Sequence, residues 1–165
     1  MSAPENLMDV YIDELKDLVS ANEQMVKVVR ELAEKAEDSK LAKKLQNSLD
    51  GIESHTETVR GILSDHGESG KEHCKGMEGL VKEARKHVLE EDNEDGDVRD
   101  VVLIAQYQRM CHYGICGFGT AKAFADALRL SGDKSKLDQI TEDIYGADDW
   151  MTDLAERSVN LQAKS

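Results

Sequence analysis

DVRDVVLIAQYQRMCHYGICGFGTAKAFADALRL, residues 97–130, is the longest segment without a strong helix break, and it decides the fold class. Apolar and small side chains recur along it every three or four residues, the period of one α-helical face. The predicted inner face comprises Val101, Ile104, Ala105, Gln108, Cys111, His112, Ile115, Phe118 and Gly119. Asp97 is the predicted N-cap. Gly114, Gly117 and Gly119 are expected to let a neighbouring helix approach closely, which would offset their low helix propensity.

Four further segments show the same helical period, and we predict helices at residues 5–36, 39–66, 75–91 and 134–163. The predicted inner face of the first of them comprises Leu7, Tyr11, Leu15, Leu18, Asn22, Met25, Val29 and Leu32. Gly67 is expected to follow the end of the second helix as a C′ glycine. Short turns join the first two and the last two long helices, whereas a long crossover carries the short helix. The sequence therefore predicts an all-α, ferritin-like four-helix bundle with a short fifth helix in the crossover, as one domain over residues 1–165.

The composition argues against several classes of protein. The chain has 21 basic and 34 acidic side chains, a net charge of −13, so a nucleic-acid partner is not expected. No apolar run approaches the roughly 20 residues that cross a membrane, and MSAPENLMDV at the N-terminus lacks a signal pattern. Three cysteines do not indicate a disulfide framework. We expect a soluble, cytoplasmic protein with no membrane partner.

Several stretches of the chain resemble the YciE/YciF family of bacterial stress-associated proteins. The matching pieces are YIDELKDLVSANEQM (11–25), CKGMEGL (74–80), VRDVVLIAQYQR (98–109), HY (112–113) with a later FGT (118–120), and MTDLA (151–155). Their order and spacing extend over nearly the whole chain. The resemblance implies a ferritin-like fold, a homodimer and an association with stress. The family has no established biochemical activity, and iron or another metal is suspected there because rubrerythrin and ferritin share the fold.

The chain departs from the family pattern near the middle of every long helix. Positions where the family usually has carboxylates carry neutral residues here: Asn22, Gly51, Cys111, Gly114 and Ile144. A di-metal site in a four-helix bundle draws its Glu ligands from all four helices. The coordinated losses therefore indicate that such a site has been dismantled.

Four candidate metal ligands remain: Asp50, His55, His112 and Asp143. With iron or another transition metal, they would make the chain a rubrerythrin-like oxidoreductase or a metal-storage protein. His55 and His112 could instead hold a softer metal together with Cys111, because imidazole and thiolate suit zinc or copper. Asp143 and Asp148, on the flanks of the last long helix, are otherwise expected to be solvated.

The favoured alternative is a bundle protein without an enzyme site, with no catalytic residues, no cofactor and a degenerate metal centre. In that case Asn22, His55, Gln108 and His112 are expected to form a hydrogen-bonded layer across the middle of the bundle. Cys74 lies at the start of the short helix, where a helix dipole could activate its thiol. We favour a packing role for it. No motif identifies a small-molecule ligand or substrate.

Aromatic side chains on the outer faces lead us to expect a dimer. Tyr107, Phe124, Tyr145 and Trp150 all fall outside the predicted inner stripes. Four exposed rings would be unusual on a monomer with so few aromatic residues. We therefore predict a symmetric homodimer that uses the long helices.

Overall fold

A computed structural model describes residues 3–91 and 94–164 of the chain. These residues contain six α-helices. The four long helices are α1 (Leu7–Lys35), α2 (Ser39–Asp65), α4 (Gly96–Ala127) and α5 (Ser131–Leu154). The crossover carries α3 (Lys75–Ala84), and α6 (Asn160–Gln162) is near the C-terminus. Turns of π-helix at Arg85–Glu90 and Ala155–Val159 extend α3 and α5. The predicted all-α fold class and its order of helices are confirmed.

Side-chain caps fix where the helices begin. The Asn6 side chain accepts from Asp9 N at the start of α1, and Asp38 accepts from two backbone N–H groups at the start of α2. The prediction of Asp97 as the N-cap of α4 is wrong, because Asp95 caps this helix and accepts from Asp97 N. The helix begins at Gly96, so Asp97 lies inside its first turn.

The end of α2 confirms the predicted role of Gly67. This glycine has a φ of +73°, the left-handed conformation that suits a residue without a Cβ. Gly67 N donates to Ser64 O at 3.0 Å, and Glu68 N donates to Leu63 O at 2.9 Å. These two bonds are those of a Schellman motif, and they satisfy carbonyl groups left free by the last turn.

The long helices form two hairpins, α1 with α2 and α4 with α5, and α3 packs against α1 and α4. Contact between α2 and α5 is much less extensive. The predicted inner face of α1 is buried from Tyr11 to Leu32, whereas Leu7 is exposed. No helix in the two described ranges has the length and apolar character required to cross a membrane.

The prediction of the inner face of α4 is wrong, because the buried face is displaced by about one residue along the helix. The buried residues of α4 are Asp100, Leu103, Ile104, Gln106, Tyr107, Met110, Cys111, Gly114, Gly117, Phe118, Ala121 and Ala125. Tyr107, predicted on the outside, is only 2% exposed, whereas His112, predicted inside, lies at the surface. Helix α4 packs against α1, α3 and α5, so apolar side chains lie on several of its sides. The apolar period of the sequence was therefore not sufficient to identify which face of α4 is buried.

The expected close approach of a neighbouring helix occurs at Gly117. A Cβ at this position would be 2.6 Å from Leu18 Cδ2 of α1, far inside normal contact. At Gly119, by contrast, a Cβ would have no neighbour within 4 Å. Gly117 thus lets α1 and α4 come together next to the middle of the bundle.

Candidate functional site

A cavity of about 250 Å³ lies in the middle of the bundle, where all four long helices and α3 contribute side chains. Its inner wall is largely apolar and includes Leu18, Met25, Ile52, Met77 and Met110. Exposed lining residues come from α2 and α5, which make the least extensive contact of the long-helix pairs that pack against each other. The cavity therefore opens towards solvent between α2 and α5.

The five neutral replacements predicted to dismantle a metal centre all line this one cavity. They are Asn22 from α1, Gly51 from α2, Cys111 and Gly114 from α4, and Ile144 from α5. Their helices approach from different sides, yet the five positions converge. The sequence departures thus concern one place in the fold.

Of the four candidate metal ligands, the structure brings two together. His55 Nε2 and Asp143 Oδ2 are 3.0 Å apart across α2 and α5, and both residues line the cavity. His112 instead contacts Asp148 Oδ2 at 2.9 Å, with 62% of its side chain exposed. Asp50 is exposed on α2 and does not line the cavity. No cluster of three or more His, Cys, Asp or Glu residues suited to a metal ion occurs in the described ranges.

The expected hydrogen-bonded layer takes a different form, because three of its four members bond to α5 rather than to one another, and Asn22 does not bond to any of them. The Gln108 amide donates to Asp148 Oδ1 at 3.1 Å and to Thr152 Oγ1 at 2.9 Å. His112 shares Asp148, and His55 bonds to Asp143. The prediction of one layer across the bundle is therefore wrong, since the rotation of α4 turns His112 towards the edge of α5.

Asp148 and Asp143 mark the side of α5 that faces α2 and α4. The Asp148 side chain is 13% exposed, so a flank position that the sequence led us to expect in solvent reaches inward. Hydrogen bonds from His55 and Gln139 outweigh the effect of burial and lower the pKa of Asp143. Both carboxylates are held by side-chain partners at the edge of the bundle.

Cys111 lies in the cavity wall as a neutral thiol. Burial raises its pKa to about 12, against the opposing effect of a hydrogen bond from Tyr107. The Tyr107 hydroxyl also hydrogen bonds with the Ser48 side chain, which joins α4 to α2. A thiol that keeps its proton at neutral pH is a poor nucleophile and a poor metal ligand. The site therefore provides a neutral wall at Cys111.

Cys74 joins three elements at the edge of the cavity. Its Sγ is 2.9 Å from the Tyr113 hydroxyl, which donates to Asp17 Oδ2, also at 2.9 Å. The same sulfur accepts from Met77 N and so caps α3. Burial raises the pKa of the Cys74 thiol, although the bond with Tyr113 opposes this. These contacts support the packing role favoured from the sequence.

Gly76 shows how closely Tyr113 approaches α3. A Cβ on Gly76 would be 2.7 Å from Tyr113 Cε2. The sequence had drawn attention to Tyr113 only as part of the HY pair (112–113) that resembles the family. Its contact with a distant cysteine and aspartate could not be found from local spacing.

Replacing Gly51 with alanine is expected to raise the free energy of unfolding by about 1 kcal/mol, the difference in helix propensity. Gly51 lies within α2 and lines the cavity, and a Cβ there would meet nothing within 4 Å. Urea unfolding measures the change. G61A is the matched control, because Gly61 is in the same helix, exposed and equally unobstructed. A much smaller gain for G51A than for G61A would contradict an open cavity at Gly51.

A family profile and a known protein match the chain over almost its full length. Residues 6–164 match the profile of a family described as "Domain of unknown function (DUF892)". Protein YciF of Escherichia coli K12 is 30% identical over 159 residues, which cover 95% of each chain.

Two solved structures share the fold. The crystal structure of the E. coli stress protein YciF has a TM-score of 0.85 and 30% identity, and covers 95% of this chain and 99% of its own. YcfI from Rhodopseudomonas palustris has a TM-score of 0.85 and 23% identity, and covers 90% of this chain and 94% of its own. YcfI supports the fold alone. Together with the family profile and YciF, which match almost the full length, these findings show that the chain belongs to the DUF892 family of YciF-like helical bundles.

Proposed function

We propose that this chain is a stress-associated, ferritin-like bundle protein that has exchanged its di-metal centre for a neutral cavity. The observation that carries this proposal is the convergence of Asn22, Gly51, Cys111, Gly114 and Ile144 on one cavity. Carboxylates lost at scattered surface positions would have no common effect on one site. Carboxylates lost from all four long helices around one cavity remove the negative charge that a hard cation requires.

The association with stress is taken from YciF, which is described as a stress protein. At 30% identity over 95% of both chains, the two proteins share a fold and an arrangement of helices. The cytoplasmic location predicted from the sequence belongs to the same proposal.

The competing function, a metal-binding oxidoreductase or storage protein, has one contact in its favour. His55 and Asp143 touch at the mouth of the cavity and could offer one nitrogen and one oxygen ligand. The remaining candidates point elsewhere, with His112 on Asp148 and Asp50 at the surface. Two protein ligands are fewer than transition-metal sites in proteins normally use.

We expect protein purified without chelator, from cells supplied with iron and manganese, to contain either metal well below one equivalent. The thermal midpoint should be the same with and without EDTA. Elemental analysis and thermal unfolding measure these two quantities. One equivalent of iron or manganese, or a clear loss of stability with EDTA, would contradict the proposal.

Two variants show where any metal is held. D143N removes the carboxylate at the cavity mouth, whereas H87Q acts on α3's extension, where His87 contacts Glu83 and Glu91. Metal that is lost with D143N belongs to the cavity and contradicts the proposal. Metal that is lost with H87Q alone is bound at the surface and leaves the cavity neutral, as proposed.

A homodimer is also proposed, on the resemblance to the family. The aromatic surface that first indicated it is smaller than expected, because Tyr107 is buried and Trp150 lies under Lys44, whose Nζ is 5.2 Å from the ring centroid. Tyr145 is still exposed on α5. Light scattering at micromolar concentration should give twice the chain mass of 18.3 kDa. A mass of one chain would exclude the dimer.

A further inference from the structure

Asn22 presents a buried donor to the central cavity. Its side chain is 7% exposed and lines the cavity, and its Nδ2 has no hydrogen-bond partner among residues 3–91 and 94–164. Buried amide groups in folded proteins almost always have a partner. An acceptor that enters the cavity would supply the partner that this donor lacks.

The cavity has the size of a small organic molecule. Its volume of about 250 Å³ exceeds the roughly 150 Å³ of an apolar cavity that takes up benzene in another protein. Its opening between α2 and α5 gives a path from solvent, and Gly51 on that side adds no side chain to narrow it.

Three methionines favour an aromatic occupant. Met25, Met77 and Met110 come from α1, α3 and α4 and all line the cavity. Thioether sulfur makes favourable contacts with aromatic rings, and the unbranched side chain adapts to the shape of what it contacts. A ring among these three side chains would gain contacts that water does not provide.

The charges around the cavity favour a neutral occupant. Inside, Tyr107 and Cys111 are neutral hydrogen-bonding groups. The charged lining residues lie on the open side, where Asp143 of α5 is paired with His55 and Lys44 of α2 lies over Trp150. An ion that enters the apolar interior would lose its hydration without a counter-charge beside it, which is costly.

We propose that the central cavity binds a small, neutral aromatic molecule that carries a hydrogen-bond acceptor, with the Asn22 amide as the donor. This inference rests on the proposed loss of the di-metal centre, because a metal with its carboxylates would occupy the same space. The ligand class is an aromatic ketone, aldehyde, ester or ether of about ten non-hydrogen atoms, a size consistent with the cavity volume.

The test compares two probes of nearly equal shape, acetophenone and α-methylstyrene, which differ by a carbonyl oxygen in place of a methylene carbon. Both are titrated into the protein in the presence of EDTA, and binding is followed by NMR of the side-chain amides. Acetophenone should shift the Asn22 amide resonances. N22L removes the donor but keeps a similar volume. In this variant the preference for acetophenone over α-methylstyrene, measured as the ratio of the two dissociation constants, should fall by about fivefold.

Two further variants control for the place of binding. G51L should weaken acetophenone binding at least tenfold by entering the cavity, whereas G61L, in the same helix and away from it, should leave the affinity unchanged. No resonance shift up to the solubility of acetophenone, or an unchanged ratio in N22L, would overturn the proposal. An unchanged affinity in G51L would do the same. The metal content of the same preparation is measured independently of probe binding. One equivalent of metal contradicts the proposed function, whereas metal-free protein that does not bind acetophenone contradicts only the proposed ligand.

Discussion

Replacing Asp100 with alanine should lower the free energy of unfolding by about 3 kcal/mol, because two backbone donors lose their acceptor. Asp100 is buried near the start of α4, and its carboxylate accepts from Glu37 N at 3.0 Å and Asp38 N at 2.6 Å. These donors belong to the turn between α1 and α2, and Asp38 is itself the N-cap of α2. One side chain thus joins the two hairpins. Chemical denaturation of D100A measures the loss.

D97A is the matched control, because Asp97 lies in the first turn of the same helix and is less buried. It should cost only the roughly 0.3–1 kcal/mol expected for an acidic side chain near a helix N-terminus. D100N should fall between the two, since its amide keeps one acceptor oxygen. Equal losses in D100A and D97A would show that charge near the helix end, and not the two turn bonds, accounts for the effect.

The loss in D100A should also depend on pH. Burial raises the pKa of Asp100, although the backbone bonds from Asp38 and Glu37 lower it in part. The folded chain therefore binds this proton more tightly than the unfolded chain. The corresponding stabilisation is complete below the unfolded pKa, about 3.9, and is lost as the pH rises through the folded pKa. The difference between wild type and D100A should accordingly be larger at pH 3.5 than at pH 7.

Local rules were sufficient for most of the fold. The apolar period of α1 predicted the burial of Tyr11, Leu15, Leu18 and Leu32, because one wide face of this helix contacts the core. Gly67 ended α2 as expected, since only its neighbours in sequence decide that geometry. Such features depend on interactions over a few residues and can be worked out from the chain alone.

The rotation of α4 depended on interactions that the sequence does not display. This helix packs mainly against α1, α3 and α5, so Tyr107 and His112 both lay at the border of an apolar surface that extends most of the way round. Helix packing decided that Tyr107 turns inward, to Ser48 and Cys111, and that His112 turns to Asp148. A shift of one residue turns a helix by about 100°, which is enough to exchange inside for outside.

The candidate site was predicted in its position but not in its contacts. The five departures from the family pattern line one cavity, because each lies near the middle of its long helix. The loss of a metal centre there stays a prediction. The pair of His55 with Asp143 across α2 and α5 joins residues 88 positions apart. Side-chain contacts at such separations depend on helix rotation, and the same is true of the three methionines around the cavity.

Replacing Asn22 with aspartate should lower the free energy of unfolding by about 2–4 kcal/mol at pH 7, because it places a carboxylate in a largely apolar cavity without a cationic partner. Asn and Asp have the same shape, so packing of Leu18 and Met25 around the position is retained. Burial would raise the pKa of the introduced carboxyl. The loss should therefore be small below about pH 4, where the carboxyl is protonated in both states, and should grow as the pH rises through the folded pKa.

Urea unfolding of N22D at pH 3.5 and pH 7 measures this change, and N22L is the matched control. Leucine removes the unpaired Nδ2 of Asn22 and introduces no charge, so N22L should be as stable as wild type or more stable at both pH values. A loss in N22D that is the same at both pH values would show that the carboxylate reaches solvent. If iron(II) or manganese(II) instead restores N22D at pH 7 without affecting N22L, the cavity still holds a cation once a single carboxylate returns. That outcome would contradict the neutral cavity, because it would show that the other walls had kept enough ligands for a metal.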